Sequence, residues 1–361
     1  MEKIYITKTF SAPLDEYIKE LSDIWDSHVF SNDGPKVIKF KENLKKYFSL
    51  GEIFLMCNGT LPIQIGLRSV IAPGKTEIIT TPFSYIATTS AILWEGGVPI
   101  FIDIDPVNLT IDEKLIEEKI SSKTAAILAT HVYGNPCNIN AIELISKKYN
   151  IPVIYDGAHA VGVEYKNKSL LTFGDISTTS FHATKVLHTG EGGMAIVNNP
   201  LFKKKVAQMM NFGHITASDF GGIGINAKMS ELSGALGVCN LRHFERHIHL
   251  RKENFNIYDS SLKFNNYNRF NLRDFTKPNY SYYPIIFESE QSLIKVQSSL
   301  ESIGVFPRRY FYPSLSKLQF LPKFENTPIS DSIAQRVLCL PISAHYTYEQ
   351  LSIISKRINK V

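Results

Sequence analysis

The sequence predicts an α/β protein: a mostly parallel sheet flanked by helices, with a smaller α+β domain at the C-terminal end. Three observations carry this reading. From residue 53 to about 200, short apolar runs ending in small or polar residues alternate with amphipathic stretches. That is the pattern of strands and crossover helices covering a sheet on both faces. After about residue 240 the alternation stops and long helical periodicities take over. The chain, 361 residues and 44% hydrophobic, is long enough for two cores, and the change of rhythm divides it into 1–245 and 246–361.

The elements follow in order. Ser31-Asn32-Asp33-Gly34-Pro35 opens the first clear helix, because a proline in the first turn is preset for helical backbone. Val37, Phe40, Leu44 and Phe48 then recur at helical spacing. Phe54-Leu55-Met56 reads as a strand that leads through Asn58-Gly59-Thr60 into a helix lasting to Val70. Residues 77–80 lead in the same way to a helix over 85–94. Strands follow at 99–102, ending at Asp103; at 125–128, ending near His131; and at 152–155, ending at Asp156. Residues 176–179 form a further strand-like run before a glycine-rich turn. Beyond it, a long helix over 242–258 gives way to an Asn-rich connector (Asn265, Asn266, Asn268, Asn271), a strand at 282–287, a helix over 290–303 and a last helix over 348–358. Ligands of open α/β sheets sit beyond the carboxyl ends of the strands, which singles out Asn58, Asp156 and the residues after Ser180.

Charge and cysteine usage narrow the function classes. Lysine and arginine number 39 against 34 acids, a net charge of +5, and the two signs are interspersed. No basic stripe for nucleic acid stands out, and Lys203-Lys204-Lys205 reads as a solvated helix face. The mild positive balance suits an anionic small ligand. The amino terminus lacks the basic start, apolar run and cleavage site of a secretory signal, and no apolar stretch has the length to cross a bilayer. Cys57, Cys137, Cys239 and Cys339 are dispersed without a Cys-x-x-Cys pair, which argues against a structural zinc site and a disulfide framework. The expectation is a cytoplasmic protein that binds neither nucleic acid nor membrane and holds no metal.

Four segments carry chemistry. Ser180-Phe181-His182-Ala183-Thr184-Lys185, followed by Gly190-Glu191-Gly192-Gly193, places a lysine at a strand end beside hydroxyls and glycines. An amine kept partly neutral there can form a Schiff base with a carbonyl; taken alone, it equally reads as a surface lysine beside a turn. Asp156-Gly157-Ala158-His159 puts an acid at the end of a buried strand, where it needs a positive partner such as a protonated pyridine nitrogen. Taken alone, Asp156 equally reads as a turn cap and His159 as a core histidine. Asn58-Gly59-Thr60 before a helix offers free N–H groups to a phosphate, with Ser180 a further donor, or else it is a turn and cap. Tyr85 stacks on a flat ring or packs in the core. In combination the set is specific: a covalent anchor, a charge partner, a stacking ring and a phosphate cradle are the contacts that pyridoxal phosphate needs.

On these residues the chain resembles the DegT/DnrJ/EryC1/StrS sugar aminotransferases, enzymes of the pyridoxal phosphate fold type I, with a mostly parallel seven-stranded sheet. The resemblance runs from Gly34-Pro35 through Asn58-Gly59-Thr60, 81–88, 101–105, His131-Val132-Tyr133-Gly134, 156–160, 180–193 and 224–231 to Leu340-Pro341. It implies that Lys185 anchors the cofactor and then acts as acid and base, and that Asp156 pairs with the ring nitrogen. His159 would sit near the phenolic oxygen, Tyr85 would stack, and Gly59, Thr60 and Ser180 would hold the phosphate. Asn226 would reach the phosphate of a neighbouring subunit, implying a homodimer with shared sites. The implied reaction moves an amino group from glutamate to a nucleotide-linked keto sugar. The spelling of 181–185 and of 306–313 resembles the branch that aminates C4 of dTDP-4-keto-6-deoxyglucose. Arg308 and Arg309 could meet a diphosphate or a carboxylate, or form an exposed basic pair; Tyr310 and Tyr312 could line the sugar pocket or pack the small domain. The alternatives are a 3-keto sugar aminotransferase, a pyridoxamine-dependent sugar dehydratase, in which histidine replaces the lysine, and a catalytically silent regulatory protein of the same fold. The chain departs from the family pattern at Leu61-Pro62, where small residues are usual, at Gly157, and at Ala227-Lys228 within the Asn226 motif.

Overall fold

Seven strands build the central sheet: β1 (Glu52–Met56), β2 (Glu77–Thr80), β3 (Val98–Phe101), β4 (Thr124–Thr130), β5 (Val153–Asp156), β6 (Ile176–Ser180) and β7 (Gly193–Val197). Their order is β1-β7-β6-β5-β4-β2-β3, and β7 alone runs antiparallel to its neighbours. The computed structural model describes residues 3–264, 267–321 and 326–361; of the Asn-rich connector, Asn265 and Asn266 lie outside the described residues. β4 reads Thr-Ala-Ala-Ile-Leu-Ala-Thr and is buried throughout, as a strand covered on both faces must be. Its side chains alternate between two cores: Ile127 and Ala129 join one hydrophobic cluster, Ala126 and Leu128 the other. Polar caps mark several helix starts: Asn58 before α3 (Thr60–Val70), Asn138 before α5 (Ile139–Tyr149) and a capping box of Thr347 and Gln350 before α11 (Tyr348–Ile358). Between them lie α4 (Ile86–Trp94), α6 (Lys203–Met209), α7 (Glu231–Arg242), α8 (Phe244–Ser261), α9 (Glu290–Glu301) and α10 (Pro328–Arg336), and before them α1 (Leu14–Ser27) and α2 (Pro35–Tyr47). Lys203, Lys204 and Lys205 lie exposed on α6.

The C-terminal part has its own antiparallel sheet, β8 (Tyr267–Asn268), β9 (Tyr283–Phe287) and β10 (Val337–Leu340), in that order. Phe255 and Tyr258 of α8, Leu293 and Leu300 of α9, and Leu351 and Ile354 of α11 close a core over it. Ile4 belongs to the same core, since Ile4–Tyr5 pairs with Val305–Phe306. The beginning of the chain is thereby packed with its end. Among the described residues, no helix is long and apolar enough to cross a membrane.

The predicted helix over 242–258 is found as α8, its ends two to three residues later, and a helix that the sequence reading did not offer, α7, precedes it. The two helices meet at His243, whose φ of −102° and ψ of 5° break the first before the second begins. Gly234 and Gly237 had hidden α7, because glycine disfavours helix by about 1 kcal/mol against alanine. Packing demands them: a Cβ on Gly237 would lie 2.7 Å from the Phe40 ring of α2. At the start of α7, Glu231 is 1% exposed, and its carboxylate accepts the N–H groups of Lys36 at 2.7 Å and Val37 at 2.9 Å. The N-cap of α2 is Gly34, without a capping side chain, so Glu231 does that work from a distant helix. Glu231→Ala strands two buried donors and is expected to cost about 2 kcal/mol, read as a lower denaturation midpoint.

Candidate active site

Strand register brings the chemistry to one place. Met56 and Ser180 both lie opposite Gly193, and Thr130 lies opposite Asp156 on the neighbouring strand. The carboxyl ends of β1, β6, β5 and β4 therefore open on a common cavity of about 350 Å³. Gly59, Thr60, Tyr85, Asp156, His159, Ser180 and Lys185 all line it. Lys185 and Asp156, from separate strand ends, are brought together there.

Asp156 is buried, 4% exposed. Oδ2 accepts from Thr88 Oγ1 at 2.7 Å and Oδ1 from the Ala158 N–H at 3.1 Å. Burial pushes its carboxyl above the usual range, while these bonds and the charge of Lys185 oppose the rise. Behind Thr88, Ser84 Oγ lies 2.8 Å from Thr88 Oγ1 and 3.0 Å from Thr130 Oγ1, a chain of hydroxyls ending on the carboxylate. Burial pushes the Lys185 amine down to about 8, with Asp156 and Tyr85 opposing. An amine so placed is a usable nucleophile and base near neutrality.

His159 is buried, and desolvation holds its imidazole well below the ordinary range. Its Nδ1 accepts from the Tyr133 N–H at 3.1 Å, so the neutral ring carries its proton on Nε2. Phe311 and Tyr133 lie parallel to it, with centroids 5.8 and 6.4 Å away. Tyr85 is the N-cap residue of α4 and is exposed at the cavity wall.

At the start of α3, the Thr60 and Leu61 N–H groups both donate to Asn58 Oδ1 at 2.9 Å. Together with Pro62, which has no N–H, this leaves few backbone donors for an anion and shifts the task to the Thr60 and Ser180 hydroxyls. Gly59 makes the cradle possible, since a Cβ there would lie 2.7 Å from Ser180 Cβ. A buried carboxylate, a partly neutral amine, flanking rings and a hydroxyl-lined helix start form a donor set that fits pyridoxal phosphate.

The remaining predicted residues divide. Arg308 and Tyr310 line the cavity, with the Arg308 guanidinium 4.9 Å from the Tyr310 ring centroid. Arg309 and Tyr312 line an adjoining groove of about 310 Å³ instead. Arg309 is held there by Glu290 at 2.6 Å and the Gln335 carbonyl at 2.9 Å, and it stacks on Tyr312. Asn226 is exposed outside its own chain's cavity, on a segment bridged to Asn211. Sequence reasoning missed Ser84, Thr88, Thr130 and Tyr282. Thr88 had one signal, its place one helical turn beyond Tyr85; Tyr282 had none.

This fold and site define the pyridoxal phosphate-dependent aminotransferases of fold type I. The chain belongs to the DegT/DnrJ/EryC1/StrS aminotransferase family, whose model matches residues 14–359. It is 38% identical over 368 residues to a dTDP-4-amino-4,6-dideoxy-D-glucose transaminase of Shigella dysenteriae, with 100% of both chains covered. It is 34% identical to an enzyme of the same name from Escherichia coli, over 98% of this chain and 97% of the relative. The fold matches the crystal structure of DesI solved in the presence of its TDP-sugar product, with a TM-score of 0.93, 24% identity and coverage of 100% of this chain and 93% of that one.

Proposed function

We propose that the protein transfers an amino group from glutamate to C4 of dTDP-4-keto-6-deoxyglucose. The observation that carries this is the end-to-end 38% identity to a transaminase named for the corresponding amino sugar, on a chain whose cavity holds both Lys185 and Asp156. Pyridoxal phosphate, when bound, supplies an electron sink and a carrier for the amino group.

The chain's own groups do the rest. Lys185 holds the cofactor covalently and, once released, takes the proton from the donor's α-carbon at Nζ. Asp156 keeps a positive charge on the ring nitrogen. His159 donates from Nε2 toward the ring's oxygen substituent. Tyr85 stacks, and Gly59, Thr60 and Ser180 take the phosphate. Arg308, at the mouth where cavity and groove meet, meets the diphosphate or the donor carboxylate. Tyr310 borders the sugar, while Arg309 and Tyr312 support the groove that continues toward the nucleotide. The working unit is a homodimer in the cytoplasm, with Asn226 of each copy completing the other's phosphate site. The exposed apolar side chains Phe212, Phe220, Ile223 and Ile225, on the same segment as Asn226, support that pairing. The division into 1–245 and 246–361 describes the two bodies between which the substrate enters.

Glutamate added alone is expected to convert the cofactor's visible band to the pyridoxamine absorption. Subsequent dTDP-4-keto-6-deoxyglucose should restore the band and give a 4-amino sugar by NMR. No change with glutamate overturns the donor, and amination at another carbon overturns the sugar. Mixing the inactive Lys185→Ala and Asn226→Ala chains should restore about a quarter of normal activity under random pairing. No recovery rules out a shared site.

A further inference from the structure

Tyr282 stands at the end of a loop pinned by two buried side chains. Arg251, on α8, donates to the carbonyls of Tyr280 at 2.9 Å, Ser281 at 2.6 Å and Ile342 at 3.2 Å. Asn279 donates through Nδ2 to the carbonyls of His159 at 2.9 Å and Val161 at 2.7 Å, fastening the loop to the turn after β5. The Tyr282 ring is wedged between His159, with centroids 4.5 Å apart, and the edge of Tyr310 at 5.6 Å. Its hydroxyl is thereby fixed in the cavity wall, where it accepts a hydrogen bond from Lys185 Nζ at 3.4 Å. Among the described residues, no protein group accepts the hydroxyl's own proton. Burial raises the phenol well above its ordinary range, so at neutral pH it stays a donor.

We propose that Tyr282 is the bridging hydroxyl between Lys185 and the bound substrate, accepting from the amine and donating to the substrate's reacting oxygen. The proposal rests on the reading of Lys185 as the reacting amine. In the sugar half of the reaction the carbon–oxygen bond breaks as a carbon–nitrogen bond forms. The nitrogen sheds two protons, and the oxygen leaves with them as water. The relay runs once for each proton, first as the carbon–nitrogen bond forms and again as the oxygen leaves: Lys185 gathers a proton from the nitrogen, Tyr282 passes its own to the oxygen, and Lys185 reprotonates the phenol, so both side chains end unchanged. In the donor half the same pair runs the relay backward as water enters.

Tyr282→Phe keeps the ring and removes the hydroxyl. Cofactor uptake and thermal midpoint are expected to stay near normal, while single-turnover rates in both halves fall about 10- to 100-fold. In the cofactor-free chain, the Lys185 amine, read by NMR of the isotopically methylated lysine, should titrate lower, having lost an acceptor for its charged form. Incorporating a difluorotyrosine, whose phenol is more acidic, in place of Tyr282 should move the alkaline limb of the pH–rate profile to lower pH, which a packing role alone would not do. Unchanged single-turnover rates in the phenylalanine variant, or an unmoved limb in the fluorinated chain, would overturn the relay. A visible cofactor band that survives Lys185→Ala would instead overturn the reading on which the relay stands.

Discussion

Lys185→Ala is expected to abolish turnover, by about 10⁴-fold or more, and to remove the visible band of the lysine-bound cofactor. Among the described residues that line the cavity, Lys185 is the only lysine, so none of them offers a substitute amine. Its acidity is the physical reason for the size of the effect. An amine held at about 8 rather than 10.5 is neutral about 300-fold more often at pH 7. The sign of the pH dependence follows. Only the neutral form attacks a carbonyl, so the rate at which the cofactor-free chain captures pyridoxal phosphate should rise as pH increases through about 8 and level off above it. A stopped-flow series across that range checks the prediction. A rate still climbing steeply near 10 would mean that the amine is not desolvated as the geometry requires. Lys185→Arg, always charged, should behave like the alanine variant, because retaining positive charge does not restore a nucleophile.

Much of this site was legible in the sequence because the sheet concentrates chemistry at strand ends. Asp156 follows the apolar run Val153-Ile154-Tyr155, and Lys185 lies five residues beyond the last residue of β6; a parallel sheet brings such positions to one edge whatever the loops do. The hydroxyl chain was not legible. Ser84, Thr88 and Thr130 are ordinary polar residues until β2, α4 and β4 fold beside one another; only Thr88, one helical turn beyond Tyr85, has a spacing that marks it, and nothing marks the other two. Tyr282 is 97 residues from Lys185 and reaches it through a loop whose geometry is set by Arg251 and Asn279. The Arg308-Arg309 pair shows the same limit from the other side. Adjacent and chemically identical, the two point to different partners, because Glu290 and Tyr312 claim one of them. Helix α7 escaped for a different reason: local propensity penalises Gly234 and Gly237, and only the approach of α2 explains them.

Asp156→Asn should keep the fold and lose at least about 100-fold in turnover. The amide preserves shape and can still accept from Thr88, but it cannot balance a positive charge on a pyridine nitrogen. In the cofactor-free chain, burial without a full counter-charge raises the Asp156 carboxyl; a pyridinium beside it lowers the carboxyl again, so loading releases a proton wherever the empty site holds one. Cofactor affinity should therefore weaken as pH falls through the raised carboxyl's range, and this acid limb should vanish in Asp156→Asn. Thr88→Val offers a graded test of the same cause. It removes the 2.7 Å bond to Oδ2 while leaving the charge, so it should shift the acid limb of cofactor binding to higher pH and cost less turnover than Asp156→Asn. Equal losses in the two variants would mean that the hydroxyl chain, rather than the carboxylate's charge, holds the ring in its working state.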